Sequence, residues 1–166
     1  MSIDATHDSA RRSSRRWAVA LCCWIAFIWG HSLIQGPQSS LESGFVVALI
    51  RPLFEAVGMT DVDLMSFLVR KFAHFSEYAI LGILAYGHYR ARRNATPTLG
   101  QAVAKRFVTI WPDVSVMLVP VVDECLQLFV PGRSGHPRDV LIDLAGLCTG
   151  ALLAWLVSRL RHRKLA

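Results

Sequence analysis

The sequence predicts an all-α fold: an integral membrane bundle of four transmembrane helices, with a short interfacial helix between the first and the second. Three observations predict it. The chain of 166 residues is 53% hydrophobic and 18% charged, with a mean hydropathy of +0.38, which is too apolar for an ordinary soluble domain. The apolar residues form long segments of the length that a membrane-spanning helix needs. Lys and Arg collect at the ends of these segments.

The first part of the chain contains a tail, one span and a short helix. Residues 1–16 are polar and basic, and we expect a disordered cytoplasmic tail. The first span covers residues 17–34 and lacks a small-residue cleavage site at its end, so it is predicted to be an uncleaved anchor. The apolar run at 45–57 contains Arg51 and Pro52 and is too short to span, which favours an interfacial or re-entrant helix.

Three further spans are predicted at about 72–89, 109–129 and 140–159, so that the membrane domain covers 17–160. Residues 161–166 then form a basic cytoplasmic tail.

Local signals refine these helices. Cap-type residues, among them Asp61, predict a helix start just before the second span. Pro112 and Pro120 predict a kink in the third. Gly146 and Gly150 in the fourth permit close packing against a neighbouring helix.

The distribution of basic residues predicts the topology. Thirteen of the 18 Lys and Arg residues lie in the N-terminal tail, in the 90–106 loop and in the C-terminal end of the chain from Arg159 onward. The positive-inside rule therefore places both termini in the cytoplasm. The start of the second span, the end of the third and the start of the fourth then share the outer level of the membrane.

Polar side chains recur at helical spacing at that level. Three sets each share one helix face: Arg70, His74 and Glu77; Asp123 and Gln127; Asp139 and Asp143. Ionisable residues bordering apolar spans usually face a bundle interior or a water-filled cavity and mark function. We therefore expect a polar pocket that opens outward.

Three stretches of the chain resemble a known family in order and spacing. KFAHFSEYAILGIL, DECLQLFVPGR and DVLIDLAGLCTGALLAWL are similar to motifs of the VanZ-like family of small bacterial membrane proteins, named for a protein associated with teicoplanin resistance. The resemblance implies a location in the bacterial cytoplasmic (inner) membrane. The family's motif positions fall on Arg70, Lys71, His74, Glu77, Tyr78, Asp123, Glu124, Gln127, Arg133, Asp139 and Asp143.

These positions suggest a site that binds or acts on an anionic envelope lipid or a lipid-linked precursor, and the family resemblance implies an effect on glycopeptide susceptibility. The candidate catalytic residues are those able to transfer protons: His74, Glu77, Asp123, Glu124 and Asp143. The candidate ligand-binding residues are Arg70, Lys71, Tyr78, Gln127, Arg133 and Asp139. Arg133 is the expected phosphate anchor, because its planar guanidinium can donate two hydrogen bonds to one anion.

Other interpretations stay open. The protein could be a binder or a structural membrane protein without chemistry, in which His74 and Glu77 are a buried pair, Asp139 is a helix cap and Asp123 pairs with Arg133. An ion pathway is disfavoured, because the middle of each predicted span is apolar or small. Whether the site is catalytic is left open.

The residue types also bear on metals and on other partners. His74 and Glu77 with Asp123, Glu124 or Asp143 would suit a divalent cation, although no spacing is diagnostic of one. The cysteines lie in apolar segments without CxxC spacing and are expected to be small buried side chains without a disulfide: Cys22, Cys23, Cys125 and Cys148. The basic residues form no continuous stripe, so we expect no nucleic-acid partner.

Overall fold

Every secondary-structure element is a helix in the part of the protein that the computed structural model describes, residues 3–34, 36–95, 114–133 and 136–163. Five α-helices follow one another along the chain: α1 (Ile3–Ser32), α2 (Gly36–Ala56), α3 (Val62–Ala95), α4 (Val119–Gln127) and α5 (Pro137–Arg163). A 3-10 helix, Ser115–Leu118, leads directly into α4. The predicted all-α fold is confirmed.

Helices α3 and α5 pack against each other at very short range, and glycines make this possible. A methyl group built at Gly150 would overlap the carbonyl oxygen of Ala79, and one at Gly146 would overlap that of Phe75. On α3, a methyl group at Gly82 would overlap the carbonyl oxygen of Leu147. The prediction that small residues of the last helix permit close packing is therefore confirmed.

Helix α1 covers the other side of α3. Leu21 and Ile28 of α1 join Tyr78 and Leu81 of α3 in the buried core. The indole Nε1 of Trp24 donates a hydrogen bond of 2.9 Å to the backbone carbonyl of Glu77. This side-chain to backbone bond fixes the rotation of α1 against α3.

The start of α3 is capped as the sequence predicted. The Asp61 carboxylate accepts hydrogen bonds from the backbone N–H groups of Asp63, at 2.9 Å, and Leu64, at 3.1 Å. It satisfies two of the donors that a helix start leaves without partners.

Two helices differ from the prediction at their N-terminal ends. Helix α1 begins at Ile3, within the stretch predicted to be a disordered tail. An Asp8–Arg12 ion pair at i, i+4 spacing, 2.6 Å long, supports this extension. Helix α2 has 21 residues and is longer than the predicted short helix at 45–57, since Pro37 lies in its first turn, where proline favours a helix start.

The region of the predicted third span differs as well. Pro120 lies in the first turn of α4, where its missing N–H has no consequence, so it begins a short helix where the sequence predicted a kink in a long one. The other predicted kink, at Pro112, and residues 109–113 of the predicted span lie outside the described residues.

The outer surface is rich in large apolar side chains. Phe129, Phe45 and Phe72 are 84%, 75% and 71% exposed.

All four cysteines are free and exposed. The expectation that they are buried was therefore wrong, because their side chains lie on helix faces that point away from the core. By length and composition, one described helix, Pro137–Arg163, could cross a membrane. Helices α1 and α3 also contain apolar segments, but charged side chains, such as Arg16 and Lys71, lie directly beside them.

Candidate functional site

A cluster of three ionisable side chains lies where α3, α4 and α5 meet. His74 of α3, Asp123 of α4 and Asp143 of α5 each contribute one nitrogen or oxygen atom to a group whose members lie within 4.8 Å of one another. The Nδ1 atom of His74 is 3.7 Å from Oδ1 of Asp143. We call these three residues the polar site.

The two carboxylates of the polar site are fully buried. Asp123 and Asp143 are both 0% exposed. Oδ2 of Asp123 accepts a hydrogen bond of 3.2 Å from Gln127, which is itself buried. Ser32 and Tyr78 also lie beside Asp123. Neither oxygen of Asp143 has a hydrogen-bond partner within the described part of the chain, and a carboxylate buried in this way is costly unless something compensates its charge.

Two basic side chains lie at the edge of the polar site. Nζ of Lys71 is 2.5 Å from Oδ1 of Asp139, and this partly buried ion pair joins α3 to the first turn of α5. Arg133 lies in the turn after α4, and both Arg133 and Lys71 are within electrostatic range of the His74 ring.

The turn that carries Arg133 depends on a glycine. Gly132 has a φ of 76°, a conformation that side-chain-bearing residues rarely adopt. The backbone N–H of Arg133 donates a hydrogen bond of 3.1 Å to the carbonyl of Val130. The turn therefore holds Arg133 at a defined distance from the end of α4.

Glu124 and Asp139 fasten the connection between α4 and α5. Glu124 is 7% exposed, and its Oε2 atom accepts a hydrogen bond of 2.9 Å from the backbone N–H of His136. Asp139 lies in the first turn of α5 and is not its cap, because the helix already begins at Pro137. Its carboxylate still lies near the positive end of the helix dipole.

Glu77 contacts α1, a helix that carries none of the three polar site residues. Its Oε1 atom is 3.0 Å from Nδ1 of His31, at the end of α1. Sequence reasoning missed His31, as well as Ser32 beside Asp123. The available signal was a histidine at the end of the first apolar segment, which the predicted topology puts at the same level as His74.

Arg70 lies outside the polar site. It is exposed, and no hydrogen bond or ion pair of Arg70 occurs among the described residues. At this level α3 turns Lys71 toward α5, and the side chain one residue earlier points about 100° away. Arg70 therefore does not contribute to the polar site, although the sequence predicted that it shares one face of the helix with His74 and Glu77.

An apolar groove of about 420 Å³ runs between α1 and the segment formed by the 3-10 helix and α4. Trp29 and Val122 are among the residues that line it. Val122 directly precedes Asp123, and Trp29 lies about one turn before Ser32. One end of the groove is therefore at the level of the polar site.

The polar site offers an imidazole, two buried carboxylates and two nearby cations. Such a set can transfer protons, bind a divalent cation, or receive an anion at its basic edge. The candidate cation ligands are His74, Asp123 and Asp143; Glu77 and Glu124, which the sequence also suggested, are not members of this group.

Comparison with known proteins gives one match. A family model described as VanZ/LLP1 matches residues 17–158. No curated protein and no solved structure matches the chain.

Proposed function

The chain belongs to the VanZ/LLP1 family, and we propose that it is a multi-pass protein of the bacterial cytoplasmic membrane that binds an anionic envelope lipid or a lipid-linked envelope precursor. One observation carries the proposal: one end of the apolar groove is at the level of the polar site, whose edge carries Lys71 and Arg133. A lipid phosphate has the same layout, since a charged group is joined to a long apolar chain.

The outer surface supports the membrane location. Large exposed apolar side chains occur on every α-helix of the described chain, whereas soluble monomers rarely expose large contiguous apolar patches. In the proposed arrangement four spans cross the membrane, α2 lies at the interface and both termini are cytoplasmic. The polar site then opens toward the cell exterior, where envelope precursors are used.

Lys71 and Arg133 are the proposed contacts for the phosphate. The buried carboxylates of Asp123 and Asp143 would repel an anion, so the phosphate binds at the basic edge and the lipid chain lies along the groove. Arg133 can donate two hydrogen bonds to one phosphate, and Lys71 adds a second positive charge.

A structural role without chemistry is the second candidate. The Lys71–Asp139 pair joins α3 to α5, and the His31–Glu77 pair joins α1 to α3. These pairs would hold the helices together even if no ligand binds. If the protein is an enzyme, a substitution of His74 or of one carboxylate should abolish most of its activity. If it only binds a ligand, substitutions of several residues should each weaken that binding.

Cells lacking the protein provide the test. We expect their envelope lipid composition and glycopeptide susceptibility to change, and wild-type protein to restore both. His74→Gln and Lys71→Gln should fail to restore them, whereas Asp63→Asn, an exposed carboxylate on the same helix, should restore them fully. Restoration by both site variants, at equal protein abundance, would contradict a functional polar site.

A further inference from the structure

We propose that His74, Asp123 and Asp143 bind one divalent cation of the Mn²⁺ or Zn²⁺ class between α3, α4 and α5. The proposal does not require the lipid ligand. It rests on the geometry of the three side chains, on the burial of the two carboxylates and on the absence of hydrogen-bond partners for Asp143 in the described part of the chain.

The distances suit a shared cation. Ligand atoms that each lie about 2.0–2.2 Å from one metal ion are roughly 3–4 Å from one another. The 3.7 Å between His74 Nδ1 and Asp143 Oδ1 is within this range. The whole group spans at most 4.8 Å, so side-chain adjustments of less than about 1 Å would complete the coordination.

The buried negative charge needs compensation. Asp143 is 0% exposed and lies within electrostatic range of four other carboxylates: Asp123, Glu124, Asp139 and Glu77. The nearby Lys71 forms its ion pair with Asp139 and not with Asp143. A cation between Asp123 and Asp143 would offset their mutual repulsion and give the Asp143 oxygens a partner.

The donor set selects the class of ion. One imidazole favours Mn²⁺, Fe²⁺ or Zn²⁺ over Ca²⁺ and Mg²⁺, which prefer oxygen ligands alone. Cys125, the cysteine nearest in sequence, is exposed and does not belong to the group, so this is not a thiolate zinc site. Three protein ligands leave coordination positions open for water or for a ligand oxygen.

Metal binding to the purified full-length chain tests the proposal. The protein in detergent is stripped with EDTA, dialysed against MnCl₂ and analysed for bound manganese, with ZnCl₂ as competitor. We expect one Mn²⁺ per chain, displaced by Zn²⁺. Asp143→Asn and His74→Gln should weaken binding by more than about 10-fold, the loss that follows removal of outer-shell partners alone. Asp63→Asn should bind as the wild type does.

Thermal melting separates loss of the site from loss of the fold. Mn²⁺ should raise the melting temperature of the wild type and of Asp63→Asn but not of Asp143→Asn, because an ion that binds only the folded state stabilises it. In EDTA, Asp143→Asn should melt no lower than the wild type, since it lacks one buried negative charge. If Asp143→Asn does not fold, the effect of Mn²⁺ on the melting temperature is compared between the wild type and His74→Gln instead. Wild type without bound metal, or folded variants that bind it normally, would overturn the proposal.

Discussion

At the scale of single residues, the environment of Asp143 follows from the glycine one turn later in α5. Gly146 lets the helix approach the backbone at Phe75 so closely that no methyl group would fit between them. His74 directly precedes Phe75, and its ring therefore lies beside Asp143, with 3.7 Å between Nδ1 and Oδ1. The same close approach excludes solvent from the Asp143 carboxylate, which is 0% exposed.

His31 and Glu77 provide a residue-scale prediction. Their side chains are 28% and 16% exposed and lie 3.0 Å apart, so the pair is partly shielded from water. A double-mutant cycle with His31→Gln and Glu77→Gln should give a coupling of about 0.5–1.5 kcal/mol in the free energy of unfolding. It is measured by chemical unfolding of the purified protein.

The exposed Arg51–Glu55 pair is the control, because solvent reduces a coupling of this kind to about 0.3–0.5 kcal/mol within a helix. Strictly additive effects of His31→Gln and Glu77→Gln would show that α1 and α3 are not joined through these side chains.

At the scale of helices, the α3–α5 interface should tolerate no added side chain. Gly150→Ala places a methyl group onto the Ala79 carbonyl oxygen, and we expect it to lower the free energy of unfolding by about 1–3 kcal/mol. Gly30→Ala in α1 has no atom within 4 Å of the new methyl group and should instead be neutral or stabilising, by up to about 1 kcal/mol. The melting temperature should fall clearly for Gly150→Ala and should not fall for Gly30→Ala. Equal shifts would mean that α5 does not approach α3 as closely as described.

Helical spacing and the order of the spans predict which residues share one membrane level, but not which of them are in contact. The faces of His74, Asp123 and Asp143 were predicted to share one level, and the structure brings these side chains together. The partner of Glu77 could not be predicted in this way, because it depends on the rotation of α1. That rotation is fixed by the Trp24 hydrogen bond to the backbone of α3, which leaves no periodic signal in the sequence.

The helix boundaries were harder to predict where proline and charge act locally. Pro120 was expected to kink a long helix, but it lies in the first turn of α4. The basic N-terminal stretch was expected to be disordered, yet α1 includes it from Ile3. In both cases the local pattern favours a helix that composition alone does not predict: proline in a first turn, and an i, i+4 ion pair between Asp8 and Arg12.

At the scale of the whole molecule, an outward-facing polar site requires that the end of α3 and the turn after α4 lie on opposite sides of the membrane. Reporter fusions after Ala95 and after Gly135 should therefore report the cytoplasm and the exterior, respectively, because basic residues are concentrated on the Ala95 side. A fusion after Arg163 serves as a second cytoplasmic control. The same side for Ala95 and Gly135 would remove the basis for an outward-facing site.

The proposed phosphate site is tested most directly by the binding of a polyisoprenyl phosphate to the purified protein, measured by native mass spectrometry. We expect one bound lipid on the wild type and on the variant Arg93→Gln, which changes an exposed arginine far along α3 from the polar site. Arg133→Lys should retain only part of this binding, because lysine lacks the planar pair of donors, and Arg133→Ala should lose nearly all of it. If Arg133→Ala remains folded by its thermal melt and still binds the lipid as the wild type does, the proposed phosphate site is wrong.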